Sequence, residues 1–587
     1  MDVRPGVASF FSDLLDWRRE TEGTRAPEAR LSYSRRRYLL KSVMFAAAVL
    51  VPCAPLTGQE SPGEDKPDGA QKEAPPSATD KFYSSAYLPL GHWAYPLLDN
   101  WVASGRITEL DPLIQPYRRI EVARAILRVQ EASPTGTEEA WMPALEAEFA
   151  LELKALRGEK KNNNSGFLFI DGGLGVYSQT HRDLARAELT GPTSETRALG
   201  QASVNMSGQA GVVAGAFRGG ADQFYKYDAQ FFPGGAVPAK DGLIFDSMYF
   251  RVPEGYVEVQ SKYARVFFGR MYRNWGLPGL DGFMRSDYAY SEEELSYRFG
   301  PKWVFLVGSI ASYSDFRTDT THYVSMHRLE IRPVDNLVVT FGEAVVHGGP
   351  SQSLVWKFVN PISVWHVAAD DNDPPHNKVG ELSAWWRPTN GVALFGSFLT
   401  DATNLEGSCC QQGGTFAVEL PAIAAGWGLN ARFTALQSLV YRTGLPWEGY
   451  LVEGIGIGWD KIDLYMLTVE ADWLGATRYL RSGGTLTLQP RLDLQWMGEQ
   501  EITDLRPPID QVPGFPPILT GVTETTVRPA IAGRWRQPIR SFFVDVQFDL
   551  GVNFVRNYQN QTGDNRSAFV GNLKVLIETP HWSFGLD

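Results

Sequence analysis

The sequence predicts a mainly β fold, a large antiparallel transmembrane β-barrel of about 16–18 strands preceded by a small all-α module on the periplasmic side. Three observations predict it: long segments that alternate apolar and polar residues, an export signal near the N-terminus, and a switch of hydrophobic period from roughly 3.6 to 2 part-way along the chain.

The clearest alternation runs from Phe542 to Phe554. Phe542, Val544, Val546, Phe548, Leu550, Val552 and Phe554 are apolar, and Asp545, Gln547, Asp549 and Asn553 fall between them. Side chains on a strand alternate in direction, so one face of this segment is apolar and the other wet. At about thirteen residues it exceeds an ordinary soluble strand and suffices to cross a bilayer at a steep tilt. Leu486, Leu488, Leu492, Leu494 and Trp496 alternate likewise with Thr487, Gln489, Arg491, Asp493 and Gln495. A looser beat runs through Lys302–Tyr313 and through Val392, Leu394 and Phe398. Wet faces carrying Arg and Asp suit a water-filled lumen, whereas a β-sandwich would turn them to bulk solvent. Aromatic residues form 12% of the chain, with 17 Trp and 23 Tyr, a supply that suits the aromatic girdles of a barrel.

Near the N-terminus, Arg35, Arg36, Arg37 and Lys41 precede an apolar run, Val43 to Val51, and Leu56-Thr57-Gly58 offers a small-residue cleavage site. The run is too short for a transmembrane helix. Ser34-Arg35-Arg36-Arg37-Tyr38-Leu39 also resembles a twin-arginine signal, but a barrel crosses the inner membrane unfolded, which favours the general secretory route. Pro52 before Cys53 makes a poor lipoprotein site, and the residues before Leu31 read as a start codon placed too early. Residues 1–58 are therefore expected to be a cytoplasmic extension and signal peptide. Removing their nine Lys/Arg and six Asp/Glu shifts the formal charge from -12 to about -15, a poor match to nucleic acid.

Residues 59–81, rich in Glu, Asp, Lys, Pro, Gly and Ser, read as a disordered linker. Over residues 82–160 the period becomes helical: Trp93, Leu97, Leu98, Trp101 and Val102 make one face, Ile120, Val122, Ala123, Ile126 and Leu127 another, and a third helix spans Glu138 to Leu156. A polar hinge at Gly158–Ser165 separates this module from the expected barrel, residues 166–587, where no segment reads as a substantial helix. Arg332-Pro333-Val334-Asp335-Asn336 and Arg387-Pro388-Thr389-Asn390-Gly391 read as short hairpin turns. Between them lie a strand near Leu337–Val346, a long irregular piece near His347–Val379 and a strand near Gly380–Trp386, the short-turn, long-loop rhythm of an outer-membrane barrel. Glu578-Thr579-Pro580 interrupts the last alternating run and leaves the closing strand unassigned.

Two stretches resemble known families. His92-Trp93-Ala94-Tyr95-Pro96-Leu97-Leu98-Asp99, Gly105-Arg106-Ile107 and Pro116-Tyr117-Arg118-Arg119-Ile120-Glu121-Val122-Ala123 are similar to one S-layer-homology repeat, without its usual Asp-Gly turn. That resemblance implies binding to the cell wall through Arg118 or Arg119, with Glu121 orienting the arginine; a purely structural helix pair is the alternative. Gly269-Arg270-Met271-Tyr272-Arg273-Asn274-Trp275-Gly276-Leu277-Pro278-Gly279-Leu280-Asp281 resembles the Gly-Arg strand and Trp-Gly-Pro-Gly turn of the Wzi capsule-assembly family, with Leu277 interrupting the turn. Leu329-Glu330-Ile331-Arg332-Pro333, Gly342-Glu343, Asn360-Pro361, Asp371-Asn372 and Trp386-Arg387-Pro388 follow in a compatible order.

The Wzi resemblance implies an outer-membrane barrel that binds or organises capsular polysaccharide or exopolysaccharide at the cell surface without catalysis. Sugar recognition needs aromatic faces for stacking and Arg, Asp or Asn for hydroxyls and carboxylates. The candidates are Arg270, Arg273, Trp275, Asp281, Arg285, Asn360, Asp370 and Asp371; the bland reading is a packing aromatic and a lumenal charge ladder. The implied partners are surface polysaccharide, outer-membrane lipid, and peptidoglycan or another wall polymer. No cofactor is expected. Asp370-Asp371-Asn372-Asp373 near His376 reads as a solvated loop more readily than a Ca²⁺ site, and the vicinal Cys409-Cys410 lacks further metal ligands. The alternatives are a general diffusion porin tethered to the wall by the module and, further off, a barrel hydrolase, for which no serine in a nucleophile-elbow setting presents itself.

Overall fold

The computed structural model describes residues 82–158, 166–179, 197–223, 243–244, 248–289, 291–315, 320–368, 373, 375–401, 411–452, 454–475, 483–508 and 516–586. The export signal, the linker, Asp370, Asp371, Asn372, Cys409 and Cys410 lie outside the described residues.

Alternating segments of the sequence become strands of one closed sheet. In chain order these are β1 (Gly166–Gln179), β2 (Arg197–Ala210), β3 (Val213–Asp222), β4 (Met248–Gln260), β5 (Ala264–Arg270), β6 (Glu294–Phe299), β7 (Val304–Asp315), β8 (Thr320–Val334) and β9 (Leu337–Gly349). There follow β10 (His376–Thr389), β11 (Val392–Asp401), β12 (Gln411–Ala424), β13 (Trp427–Leu436), β14 (Leu464–Leu474), β15 (Thr485–Met497), β16 (Glu524–Ile539), β17 (Phe542–Arg556) and β18 (Arg566–Glu578, resuming as Trp582–Leu586). Each pairs antiparallel with its neighbours in sequence, giving an 18-stranded closed barrel. The interruption at Thr579-Pro580 is a break within the closing strand. Before it Gly173 pairs with Glu578, and after it Ile170 pairs with Trp582, so both pieces of β18 lie on β1.

The two rims differ. Connections 211–212, 335–336, 390–391, 425–426 and 540–541 are short and lie on one rim, whereas 271–293, 350–375, 437–463 and 498–523 are long and lie on the other. The expected turns at Pro333-Val334-Asp335-Asn336 and Thr389-Asn390-Gly391 are the β8–β9 and β10–β11 hairpins. Alternation now has its physical meaning. Phe542, Leu550 and Phe554 of β17 are exposed on the outer wall, with Phe341, Phe398, Phe416 and Phe569 on other strands. Their neighbours Asp545 and Asp549 face inward, where Asp545 pairs with Arg534 and Asp549 binds Arg491 and Arg528 at 2.6 Å each. An apolar outer band around a polar, ion-paired lumen is the organisation of a membrane-spanning barrel. No described helix is long and apolar enough to cross a membrane.

The helical segment forms α1 (Tyr95–Ser104), α2 (Arg119–Glu131), α3 (Thr137–Glu148) and α4 (Ala150–Leu156). The single third helix expected over Glu138–Leu156 is two, divided at Phe149. The apolar faces read from the sequence are buried: Trp93, Leu97, Leu98, Trp101, Ile120, Val122 and Ile126 join one core with lumenal residues such as Trp275, Val338 and Trp385.

This module fills the short-turn mouth of the barrel. Arg387 near the end of β10 donates to the Val102 carbonyl at 2.8 Å, capping α1 where Gly105 (φ 74°) turns the chain out of the helix. A side chain at Gly105 would collide with that guanidinium. Asn100 donates to Pro421 O at 2.7 Å, Trp141 to Gly475 O at 3.1 Å and Arg534 to Gly91 O at 2.6 Å, while Asp111 pairs with Arg332. All these wall residues lie near short turns.

Candidate functional site

The long connection between β5 and β6, which carries half of the candidate sugar-binding residues, turns inward and meets the module. Gln115 and Asn274 exchange backbone hydrogen bonds of 3.0 and 3.1 Å. Inside the loop, the Asn274 amide donates to Leu280 O at 2.9 Å and its oxygen accepts Gly282 N–H at 3.0 Å, while Trp275 N–H bonds Arg285 O. From the other side, the Tyr441 and Tyr450 hydroxyls donate to Phe283 O (2.7 Å) and Met284 O (2.6 Å), and the Trp459 indole donates to Asp281 O (2.8 Å). Module and loop together occupy much of the lumen.

The structure separates the candidates. Trp275 is 1% exposed, with its carbonyl accepting from Arg328 at 3.0 Å, so its ring packs the interior. Arg273 and Arg285 converge on one fully buried carboxylate, Glu294, and add hydroxyl bonds to Ser296 and Ser309 at 3.0 Å each. Arg270 pairs with Glu293 at 2.8 Å in a partly exposed setting. Asn360 is exposed in the β9–β10 connection and its side-chain oxygen caps Ile362 N–H. Among the described candidates, Asp281 alone lines the cavity described next.

Arg118 and Arg119 also spend their guanidinium groups inside the protein. Arg118 binds Glu121 at 2.7 Å and Gln260 of β4 at 3.0 Å. Arg119 donates to Glu152 (2.7 Å) and to Glu148 (2.8 Å), and stacks on Phe149 and Phe169. Burial would raise the Glu148 carboxyl, but His581 and Arg119 hold it well below the usual range. His581, in the break of β18, reaches Glu148 and Asp171 at 2.9 and 2.8 Å, which ties the module to the seam where the barrel closes.

Between this packed interior and the wall formed by β12 to β15 lies a cavity of about 670 Å³. Tyr95, Asp99 and Gln115 line it from the module, Pro278 and Asp281 from the inward loop, and Trp459 from the connection before β14. The wall side is a mixed charge ladder: Glu419, Arg432, Glu470, Asp472, Arg491 and Asp493. Asp472 organises part of it, accepting from Gln489 at 2.7 Å and from the Asn430 amide. Arg432 crosses to the inward loop and donates to Gly279 O at 3.1 Å. Carboxylates, carboxamides and guanidinium groups beside Trp and Tyr can bond the hydroxyls and cover the apolar face of a sugar ring. The alternating polar face of β15, Gln489, Arg491, Asp493 and Gln495, signalled this wall in the sequence; nothing local marked Asp99 or Trp459.

Asp99 gives the cavity a pH dependence. Burial pushes its carboxyl up to about 8, with Glu419 and Asp472 adding to the rise and the Tyr117 hydroxyl, at 3.0 Å, opposing it. A raised folded-state value means that the docked module holds this proton more tightly than the unfolded chain. Its contribution is therefore full below the unfolded value near 3.9 and is lost as pH rises toward about 8. Amide exchange in α1 is expected to quicken over that window in the natural protein, and Asp99→Asn is expected to flatten that part of the profile.

No family profile and no curated protein sequence matches the chain. Among solved structures it is similar to Wzi of Escherichia coli, described as an outer-membrane protein involved in group 1 capsule assembly and a carbohydrate-binding β-barrel. The identity is 14% and the TM-score 0.55, over 84% of this chain and 99% of Wzi. Pseudomonas aeruginosa OccD3 (OpdP) aligns with a TM-score of 0.40 at 8% identity, over 72% of this chain and 92% of that one. OprD of the same organism aligns at 0.37 and 8%, over 72% and 95%. Only the first score supports a shared fold.

Proposed function

We propose that this protein is an outer-membrane barrel whose lumen binds capsular or other surface polysaccharide without acting on it chemically and helps to organise it, as the likeness to the Wzi fold and the motif order suggest. In this reading the short-turn rim and the helical module face the periplasm and the long loops face outward. The observation that carries it is the occupied lumen: the module and the inward loop leave a polar, aromatic-flanked cavity against one wall, a shape suited to holding a few sugar units. The module acts as a plug, with Arg118 and Arg119 serving its docking. Asp281, Trp459 and the Asn430, Asp472, Gln489 group are assigned to the glycan.

Titrating the purified protein with the organism's own surface polysaccharide tests this. Binding is expected, and Asp472→Ala is expected to weaken it about 10- to 100-fold, the loss of charge-assisted hydrogen bonds. Undiminished affinity would move the glycan out of the cavity. The opposed charges of Arg432 and Arg491 against Glu470, Asp472 and Asp493 favour a second reading, a diffusion porin with its constriction at this wall. A conducting lumen indifferent to polysaccharide would establish that reading instead.

A further inference from the structure

Near the long-loop rim the outer wall departs from its apolar pattern on β8 and β9. Leu329 of β8 and Phe341 of β9 face outward and are exposed, but the outward positions nearer the long-loop rim are Ser325 and His327 on β8 and Glu343, Val345 and His347 on β9. Register places Glu343 opposite His327 and Val345 opposite Ser325. All five are buried, because residues 350–368 fold back over the outside of the wall and set Phe358 and Trp365 against Val345. The outer surface of this cover carries large apolar side chains, Trp356 68% and Ile362 85% exposed, among exposed Ser351, Ser353 and Asn360.

Under the cover, Glu343 is saturated with donors. His327 Nε2 lies 2.9 Å and His366 Nδ1 2.8 Å from its oxygens, and it accepts the backbone N–H groups of Trp365 (2.6 Å) and His366 (2.9 Å). A His327 Nε2–H aimed at a carboxylate fixes the tautomer and leaves Nδ1 as a bare lone pair. That Nδ1 has no hydrogen-bond partner among the described residues, and neither does the Ser325 hydroxyl, which is fully buried two positions earlier on the same face. Same-face neighbours on a strand are about 6.6 Å apart at Cα, a span that a serine hydroxyl and an imidazole bridge by rotamer choice. A carboxylate that merely pins a loop does not require an unpaired serine and an unpaired imidazole nitrogen beside it.

We propose that Ser325, His327 and Glu343 form an outward-facing hydrolytic site for carboxylic esters of membrane lipids, with residues 350–368 as its cover. This activity is separate from glycan binding in the lumen. The Ser325 oxygen attacks the ester carbonyl carbon while His327 Nδ1 takes the hydroxyl proton, and Glu343 holds the resulting imidazolium. Collapse of the tetrahedral intermediate breaks the C–O bond to the alcohol, which leaves with the proton from His327. Water then attacks the acyl-serine, giving its proton to His327, and collapse returns that proton to Ser325 and releases the fatty acid. Access requires the cover to swing off the wall, and its exposed Trp356, Ile362 and Val364 offer apolar side chains to lipid when it does.

Two readouts on the full chain test the proposal: fatty-acid release from phospholipid vesicles with and without added lipopolysaccharide, and covalent labelling by a fluorophosphonate located by peptide mass spectrometry. The expected result is release together with label on Ser325, both increased in Trp365→Ala, where the ring that lies tilted against His327, 4.1 Å between centroids, is gone. Release without lipopolysaccharide would identify glycerophospholipid esters as substrate, and release only with it would identify its acyl esters. Ser325→Ala is expected to lower release about a thousandfold or more, and Glu343→Gln, a positioning change, to alter the pH profile of the rate. Release that survives Ser325→Ala overturns the proposal, as does absence of both release and Ser325 label in the natural and Trp365→Ala proteins.

Discussion

In the Arg119→Ala protein the packing of α2 against α3 and α4 is expected to lose about 3–5 kcal/mol, which loosens the module and its Glu148–His581 link to the barrel seam. The magnitude follows from what the substitution leaves behind. Arg119 is 6% exposed and joins Glu148 to Glu152, of which Glu152 is 1% exposed. Alanine removes the cation and strands carboxylate charge in a place water does not reach, which costs far more than the pair contributes at a surface. His581 still serves Glu148, but Glu152 has no other ion pair among the described residues. Amide exchange in α2 to α4 is expected to quicken by roughly two to three powers of ten, and Arg119→Lys to recover only part of the protection, since an ammonium cannot reproduce the fork. Unchanged protection would mean that the apolar core holds the module's helices together without this ion-pair cluster.

Glu294→Ala is expected to have an effect of similar size on the inward loop. Arg273 and Arg285 stand at either end of its central stretch and both end on this one carboxylate, which is fully buried at the start of β6. Without it the two guanidinium groups keep their serine bonds and, for Arg273, the face of Phe267 at 4.4 Å, but no carboxylate, and the loop loses about 3–5 kcal/mol of docking. Because Pro278 and Asp281 form one side of the cavity, polysaccharide affinity is expected to fall as well, although no residue in contact with the glycan has changed. Exchange over residues 271–289 checks the first effect and titration the second; retention of both would show that Tyr441, Tyr450 and Trp459 suffice to hold the loop.

What the sequence disclosed and what it hid divide along the range of the interactions. Period alone revealed β17, β15 and the two helical faces, because burial on one side of a strand or helix is imposed locally at every second, third or fourth residue. Pro333 and Asn390-Gly391 marked turns for the same local reason. The closing strand escaped because Pro580 reads as a terminator, whereas β1 supplies partners on both sides of the break. The site was less legible. Arg273, Trp275 and Arg285 stood out by composition, yet their partners, Glu294 and Arg328, come from other strands, and the pairing makes them supports of the loop. The cavity joins residues up to about 400 positions apart, from Asp99 to Asp493, so no window of sequence contains it. Ser325, His327 and Glu343 were hidden differently, since an outward polar triplet is conspicuous only once the lipid-facing side of the barrel is known.

Single-channel conductance of the intact, refolded protein in a planar bilayer, recorded before and after adding the organism's surface polysaccharide, tests the plugged glycan-binding barrel most directly. The arrangement of module, inward loop and cavity predicts a small conductance that polysaccharide reduces further, and a larger one when Arg119→Ala loosens the plug. A steady, large conductance in the intact protein, unmoved by polysaccharide, would contradict the account and make the lumen a pore.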